Sequence, residues 1–424
     1  MNLMRFTRRN RASLLCSLGI LLGTGQGQLL AQSRRYLNEV PNYTWYAGCF
    51  GTASGNLMGY WDRNGMSGFY TGPTGGGLAP LESYTPATEG IRSMWASKAG
   101  IDGRPLDRPG HIDDYVGSED RVNMNSYEST AADPYVLAGR PEHAADCIGD
   151  FIGLNQRKWS SLAGECDGNI DAYSFVFWDK SGARRQNYSF TNTAGAYVPD
   201  IQSGLKRWAR SRGYDAEVFT QLSIFNPERT GPTGFTFNDI KNEIDSGSPI
   251  LCFLQPQNEF YRNLAKPTPM RANPEIHGVM IYGYHDDPNN AFGLGSLPEH
   301  VLVMDSWGRA AENLLPWSSY NWLGLFPVRG VIGFHPKPRV TGIHRKGETV
   351  SLQWEGPSAT ITDVVAGTIV PAHYYQVERS STLNPADFRP VTPPSTERGA
   401  SVIETGAETV FYRIGLVPKP AMEN

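Results

Sequence analysis

The sequence predicts an α+β fold, in which a helical part precedes an antiparallel sheet, followed by a small all-β sandwich. Three observations predict it. Helical periodicity dominates up to residue 247, β-forming runs follow at residues 249–334, and the remainder contains short strands with no helical run. A chain of 424 residues is also longer than one ordinary domain. We therefore expect residues 36–336 and 337–424 to form separate domains after an N-terminal signal at residues 1–31.

The first 31 residues have the composition of a secretion signal. Positions 5, 8, 9 and 11 are arginines, an apolar stretch occupies residues 12–23, and small residues follow at 25, 27 and 31. This pattern predicts a secreted or cell-envelope protein. An N-terminal anchor helix is the alternative, although the apolar run is short for a membrane span.

The charge of the chain is mildly acidic. The formal net charge is −4, and the four arginines are the only charged residues among the first 31, so the remainder carries −8. No basic surface is left that would attract nucleic acid, and we expect no nucleic-acid partner.

Four of the five cysteines lie beyond the signal. An export compartment permits disulfides, and Cys147 with Cys166 is the candidate pair. Cys252 lies in an apolar run that is typical of a buried strand, which predicts an inert core thiol. Zinc is not favoured because the chain has no CxxC spacing, and no HExxH motif is present. We expect neither a metal nor a cofactor.

A helix is predicted from Cys49 onward. Its apolar residues recur at three- and four-residue steps, so one stripe can face a core. These residues are Ala53, Leu57, Tyr60 and Trp61. Cys49 would lie at or just before the first turn, where free backbone N–H groups and the positive end of the helix dipole favour a thiolate. Cys49 is therefore a candidate nucleophile, with a buried structural cysteine or a disulfide partner as the alternatives.

A long loop and three further helices are predicted before the sheet. Residues 62–139 are largely Gly- and Pro-rich and polar, which is typical of either a functional wall or lid or a surface insertion. Helices are predicted at residues 140–154, from residue 198, and from Thr236, where a capping-box-like start precedes a helix that ends at Gly247.

Strands dominate the rest of the chain. The runs that would form an antiparallel sheet lie at residues 249–255, 276–284, 300–304 and 331–334, after an earlier strand at 173–178. Past residue 336, the runs typical of a β-sandwich lie at residues 348–354, 373–379, 400–404 and 409–413. Trp354 and Tyr412 would be core aromatics of that sandwich.

Three side chains from distant parts of the chain can supply the chemistry of a cysteine hydrolase. His277 opens a strand and is the candidate base, and Asp305 ends the next strand and could orient the imidazole. Trp307 could shield their hydrogen bond as a wall of the site. Taken singly, His277 could be a satisfied core histidine, Asp305 a turn-capping residue, and Trp307 a core side chain.

These residues resemble a papain-superfamily cysteine peptidase, in the bacteriocin-processing (double-glycine leader) peptidase-like branch found in bacterial secreted proteins. The motifs that carry the resemblance are Val40-Pro41, Gly48-Cys49, Thr52-Ala53, Gly59-Tyr60-Trp61, residues 243–250, His277-Gly278-Val279, Gly283-Tyr284 and Asp305-Ser306-Trp307-Gly308. The last motif is similar to the family's Asn-Ser-Trp-Gly, with Asp in place of Asn. The resemblance covers residues 40–335, and residues 337–424 resemble a fibronectin type III-like sandwich.

The resemblance implies a papain-like fold with Cys49 as nucleophile, His277 as general base and acid, and Asp305 as the orienting residue. One position departs from the family, which usually has a glutamine six residues before the nucleophile as an oxyanion donor. Here that residue is Tyr43, and the neighbouring Asn42 is the candidate substitute.

The function implied is a secreted cysteine peptidase that hydrolyses peptide bonds through a thioester. Its partners would be a peptide or protein substrate and, through the C-terminal domain, a cell-surface or extracellular polymer. Two alternatives stay open. One is an inactive papain-like fold that serves in extracellular binding or adhesion, and the other is an amidase or transglutaminase-like acyl transfer with the same triad.

Overall fold

The computed structural model of the chain has an α+β architecture, with few helices and a mostly antiparallel sheet, which confirms the predicted class of fold. The residues that it describes are 32–43, 49–69, 78–83, 148–152, 178–186, 201–254, 259–261, 269–271, 277–288, 298–305, 313–317, 328–406 and 409–420. Within these ranges, no helix combines the length and the apolar character that a membrane span needs.

Helix α1 (Cys49–Arg63) begins at the cysteine, as predicted, and lies at the centre of the fold. Its burial extends beyond the predicted stripe, because the side chains from Phe50 to Asp62 are all buried. A helix buried on every side needs cover from several elements. The sheet covers α1 on one side, and the C-terminal part covers it on another, where Trp61 packs against His373 with ring centroids 6.0 Å apart.

Two buried polar side chains of α1, Asn56 and Asp62, accept hydrogen bonds from the segments that flank the helix. Asn56 Oδ1 accepts the backbone N–H of Tyr43 at 2.9 Å, and Asp62 accepts those of Gly68 at 3.1 Å and Ala79 at 3.0 Å. Buried polar groups cost little when they are paired in this way. They therefore fix the segments before and after α1 as well as the helix.

The other described helices are α2 (Ile148–Ile152), α3 (Ile201–Ser211) and α4 (Phe237–Asp245). The predicted capping box of α4 is confirmed: Asp239 donates its N–H to Thr236 Oγ1 at 3.2 Å, and its carboxylate accepts the N–H of Thr236 at 2.8 Å. The chain leaves α4 through Gly247, whose φ of 81° lies in the left-handed region that favours glycine.

In chain order, the first strands are β1 (Ser33–Leu37), β2 (Asn42–Tyr43), β3 (Glu82–Ser83), β4 (Arg185–Gln186), β5 (Ala216–Leu222), β6 (Ile250–Leu254), β7 (Glu259–Tyr261), β8 (Pro269–Arg271), β9 (His277–Asp286), β10 (Glu299–Met304), β11 (Asn313–Pro316) and β12 (Val328–Pro336). The large sheet has the order β4-β5-β12-β6-β9-β10-β11-β7-β8, while β2 and β3 pair with each other. The four strands predicted to form an antiparallel sheet are thus consecutive neighbours at its centre, which confirms that prediction.

The C-terminal strands are β13 (Arg339–Lys346), β14 (Thr349–Glu355), β15 (Thr360–Asp363), β16 (Thr368–Pro371), β17 (Tyr374–Ser380), β18 (Arg389–Pro390), β19 (Gly399–Ile403) and β20 (Phe411–Val417). Six of them form two small antiparallel sheets, β13-β14-β19 and β18-β17-β20. Their shared core includes Trp354, with Tyr412 partly buried against it, as predicted.

Strands β15 and β16 belong to the large sheet instead. Strand β1 pairs with β9 on one side and β15 on the other, so the order continues as β9-β1-β15-β16. The segment just after the predicted signal therefore joins the C-terminal strands to the large sheet. The residues predicted as signal (1–31), the candidate pair Cys147 and Cys166, residues 173–177 of the predicted strand and most of the 62–139 loop lie outside the described residues.

Candidate active site

The N-terminal end of α1 contacts the start of β9. A Cβ atom built at Gly278 would overlap the Phe50 ring and lie 3.1 Å from Phe50 Cα. Only glycine allows so close an approach of the two backbones. Cys49 and His277 are the residues directly before Phe50 and Gly278, so this contact brings the backbones of the predicted nucleophile and the predicted base to the same end of the sheet.

Phe50 was not singled out by sequence reasoning. The glycine directly after His277 is the signal that could have indicated a close packing partner. Phe50 also packs against Phe253 of β6, with ring centroids 5.4 Å apart, so the start of α1 is held against two neighbouring strands.

Asp305 lies at the same end of the sheet. The last residue pair of β9 and β10 is Met280 with Met304, so the next position, Asp305, falls beside Val279. Directly opposed residues share a face of a sheet, as do residues two apart along a strand. Positions 305, 279 and 277 are therefore on one face, and Asp305 is 2% exposed there.

For Cys49 and His277 the structure describes the backbone, and Trp307 lies outside the described residues. Position 278 is on the face of β9 that α1 covers, so position 277 is on the other face. Since α1 covers the opposite face of β9, a catalytic triad in this fold requires the Cys49 thiol and the His277 imidazole to meet around the end of the strand, where β9 begins.

The segment before the nucleophile is held by hydrogen bonds. The Tyr43 hydroxyl donates to the carbonyl of Pro80 at 2.8 Å, and the tyrosine is buried. Tyr43 is thus committed to the core and does not replace the glutamine that is usual at this position. The backbone N–H of Asn42 donates to Leu81 at 2.7 Å, while the side-chain Oδ1 is buried without a hydrogen-bond partner among the described residues.

Cys252 has the properties predicted for a core thiol. It is a free, fully buried cysteine on β6, opposite Val279 of β9. Burial raises its pKa well above the ordinary value, because a thiolate there would lose its hydration. Cys252 is therefore a natural reference thiol for any measurement on Cys49.

A second polar group lies at the opposite end of β9. His285 and His300 face each other across β9 and β10 with ring centroids 6.5 Å apart, and Asp287 Oδ2 is 4.0 Å from His285 Nε2. Burial lowers the pKa of both histidines, that of His300 to about 4. No group of three His, Cys, Asp or Glu side chains in the described part of the chain is arranged to hold a metal ion.

Comparisons of the chain with models of protein families, with curated proteins and with solved structures find no match. The resemblance to papain-like peptidases, which the motifs alone carry, therefore stays a prediction.

Proposed function

We propose that this chain is an exported cysteine peptidase with a papain-like fold, which hydrolyses peptide bonds through Cys49, His277 and Asp305. The observation that carries the proposal is the contact of Phe50 with Gly278, which joins the start of α1 to the start of β9. The buried Asp305, on the face of position 277, supports it further.

In the proposed first step, His277 takes the proton of Cys49, and the thiolate attacks the carbonyl carbon of the substrate. A C–S bond forms while the carbonyl π electrons move onto oxygen, and the backbone N–H of Cys49 is the candidate donor to that oxyanion. As the oxyanion collapses, the C–N bond breaks, and the imidazolium returns its proton to the leaving amine.

The second step releases the acyl group from the thioester. His277 takes a proton from water, the hydroxide adds to the thioester carbonyl, and the C–S bond breaks to give a carboxylic acid and the thiolate. Asp305 would hold the imidazole in the tautomer that both steps require. An amine in place of water would give the transglutaminase-like alternative, so the acyl acceptor, not the triad, decides between them.

The test is the rate of iodoacetamide labelling of Cys49 between pH 5 and 9, followed by peptide mass spectrometry. We expect labelling to rise at a pH well below the ordinary thiol pKa of about 8.5. The variant His277→Ala should return this inflection toward that value, and Asp305→Ala should shift it in the same direction by less. Turnover of fluorogenic peptides should be lost in Cys49→Ala.

Two controls accompany the measurement. His344→Ala removes an exposed histidine of β13 and should leave the labelling unchanged. Cys252 should stay unlabelled while the chain is folded, since it is fully buried. Equal labelling of Cys49 in the native chain and in His277→Ala would contradict the proposal.

One observation favours the binding alternative. The hydroxyl of Tyr43 is bonded to Pro80, so the usual side-chain oxyanion donor is missing. Losing one such donor typically costs about 10²–10³ in rate. A low-pKa Cys49 that labels rapidly but turns over no peptide would support a papain-like fold retained for extracellular binding, with the C-terminal strands docking on a surface polymer.

A further inference from the structure

A groove lies between α4 with its following turn and the β15–β16 hairpin, beside Trp61 near the C-terminal end of α1 and thus at the other end of this helix from Cys49. Its volume is about 960 Å³. We define the groove by Trp61, Ser248 and His335 on one wall and Ile361, Val370 and Leu416 on the other. Ligand sites are often clefts of about 300–1,000 Å³ with mostly apolar walls and a few fixed polar groups.

Strand β16 borders this groove and is an edge strand. Among the strands that the structure describes, it pairs with β15 alone. Ala372 donates its N–H to Ala359, so the hydrogen-bonded positions of the hairpin are 372, 370 and 368. The N–H of Ile369 and the carbonyls of Ile369 and Pro371 therefore point away from β15.

The bonds on the other side of β15 agree with this alternation. Thr360 accepts the N–H of Asn38 at 3.1 Å, and Val364 donates to the carbonyl of Arg34 at 2.9 Å. Positions 360 and 364 thus face β1, which leaves positions 359, 361 and 363 to face β16. The outward groups of β16 form a short row of donors and acceptors that an extended backbone can match.

The edge lacks the charges that usually protect an exposed strand. Residues 368–371 are Thr-Ile-Val-Pro, and Ile369 is 67% exposed. Val365, in the turn before β16, is also exposed. Lysine on an edge strand commonly prevents pairing with another chain, whereas here apolar side chains flank the free edge. Pro371 limits that edge to about three hydrogen bonds.

The hairpin is held in place on its other side. Arg35 Nε donates to Asp363 at 2.9 Å, and Asn38 exchanges hydrogen bonds with Thr360 at 3.0 Å and Thr362 at 2.8 Å. These bonds order the edge before anything binds, which lowers the entropy cost of binding.

The opposite wall carries an oriented imidazole. His335 Nε2 lies 2.6 Å from Glu243 Oε2, and Glu243 is buried. Because the carboxylate is an acceptor, Nε2 carries a proton and donates it to Glu243, and this hydrogen bond fixes the orientation of the ring in the groove wall.

We propose that β16 and the groove bind an extended peptide segment, which adds as a strand to the free edge and places apolar side chains in the groove. Every second side chain of the bound strand would lie on the same face as Thr368 and Val370 and enter the groove. The remaining side chains would lie on the other face, beside Ile369. Strand β1 meets β9 at Gly283, six residues from His277, or about 20 Å along the strand. The site is therefore separate from Cys49 and does not depend on thiol chemistry.

The test uses fluorescein-labelled hexapeptides in which Thr alternates with Val, Leu, Phe or Glu, and measures fluorescence anisotropy with the full chain carrying Cys49→Ala. We expect the apolar peptides to bind and the Glu peptide not to bind. Ile369→Lys should weaken binding by about tenfold or more, since a charged edge side chain opposes strand pairing. The matched control is Ile403→Lys, at a residue 66% exposed on β19 of another sheet.

Three results would overturn the proposal. The first is no binding of any hexapeptide at concentrations up to about 1 mM, which is the weak limit of useful affinity. The second is equal weakening by Ile369→Lys and Ile403→Lys. The third is undiminished binding of an N-methylated Thr-Val peptide, which lacks the backbone N–H groups that strand addition requires.

Discussion

The two parts of this protein secure their structures in different ways. The large sheet, its helices and the segment at His373 together bury α1, and most buried apolar side chains of the described residues belong to this one core. Among the described residues, the two small C-terminal sheets share a core of six buried apolar side chains, and they leave Ile343 and Ile403 exposed. The candidate active site lies on the part with the deep core, where a helix end can be held rigidly against a strand.

The thin core of the small sheets is supplemented by paired charges. Arg379 binds the buried carboxylate of Glu404 with two bonds, at 2.6 and 2.9 Å, and the Tyr412 hydroxyl donates to it at 2.6 Å. These hydrogen bonds lower the pKa of Glu404, while burial and that carboxylate raise the pKa of Tyr412 to about 12. Polar pairing with good geometry thus stabilises a part of the chain that has little apolar surface to bury.

The largest expected effect compares one substitution in the two cores. Leu57 of α1 and Leu352 of β14 are both fully buried. Replacing a buried leucine by alanine costs about 2–5 kcal/mol, and the cost is larger where the surroundings cannot collapse into the cavity. We expect Leu57→Ala to fall near the upper end of this range and Leu352→Ala near the lower end, as measured by urea unfolding followed by circular dichroism.

Equal costs at the two positions would contradict this contrast, because they would mean that the small sheets hold Leu352 as tightly as the large core holds Leu57. An unchanged denaturant slope in both variants is needed for the comparison, since a changed slope reports a different denatured or native state.

Sequence patterns predicted the helices and strands that carry local signals, that is, signals that do not depend on which other element they pack against. The start of α1 at Cys49, the capping box at Thr236 and the buried strands β6, β9, β10 and β12 all carry local signals of periodicity or capping. The joining of β9 to β15 by β1 carries no such signal, because the choice of a strand's partner is a tertiary property.

The candidate active site also has one part that the sequence predicts and one part that depends on tertiary packing. The order Cys49, His277 and Asp305 is visible in the sequence, whereas the approach of Phe50 to Gly278 requires the packing of α1 on β9. The groove beside β16 was not predicted, since Glu243 and His335 are far apart in the chain and meet only through the sheet.

A second prediction concerns the effect of acid on two buried histidines, His300 of β10 and His373, which packs against Trp61 of α1. Burial lowers the pKa of His300 and His373 to about 4, whereas an unfolded histidine titrates near 6.5. Between these pH values the unfolded chain binds protons that the folded chain does not. The contribution of these two histidines to the free energy of unfolding is therefore fully present above pH 6.5. It falls as the pH drops toward 4, by about 3 kcal/mol for each histidine.

The measurement is the unfolding free energy in urea at intervals from pH 7 to 4.5. His373 Nδ1 accepts the N–H of Ala359 at 3.2 Å, so His373→Asn keeps an acceptor and removes the titration. This variant should reduce the slope by up to about 1.4 kcal/mol per pH unit. A slope unaffected by His373→Asn would show that the acid sensitivity has another source.

The smallest effect compares helix caps in the two parts. Thr236 caps α4 within the large core, and Asn384 Oδ1 accepts the N–H of Ala386 at 3.2 Å at the start of an exposed 3₁₀ turn, Pro385–Asp387. Removing a capping side chain costs about 0.5–2 kcal/mol. We expect Thr236→Ala to cost about 1 kcal/mol, because α4 supports both the groove and β6, and Asn384→Ala to cost about 0.5 kcal/mol or less, because water replaces the lost bond. A larger loss at Asn384 in thermal or urea unfolding would show that the exposed turn, rather than the thin core, determines the stability of the small sheets.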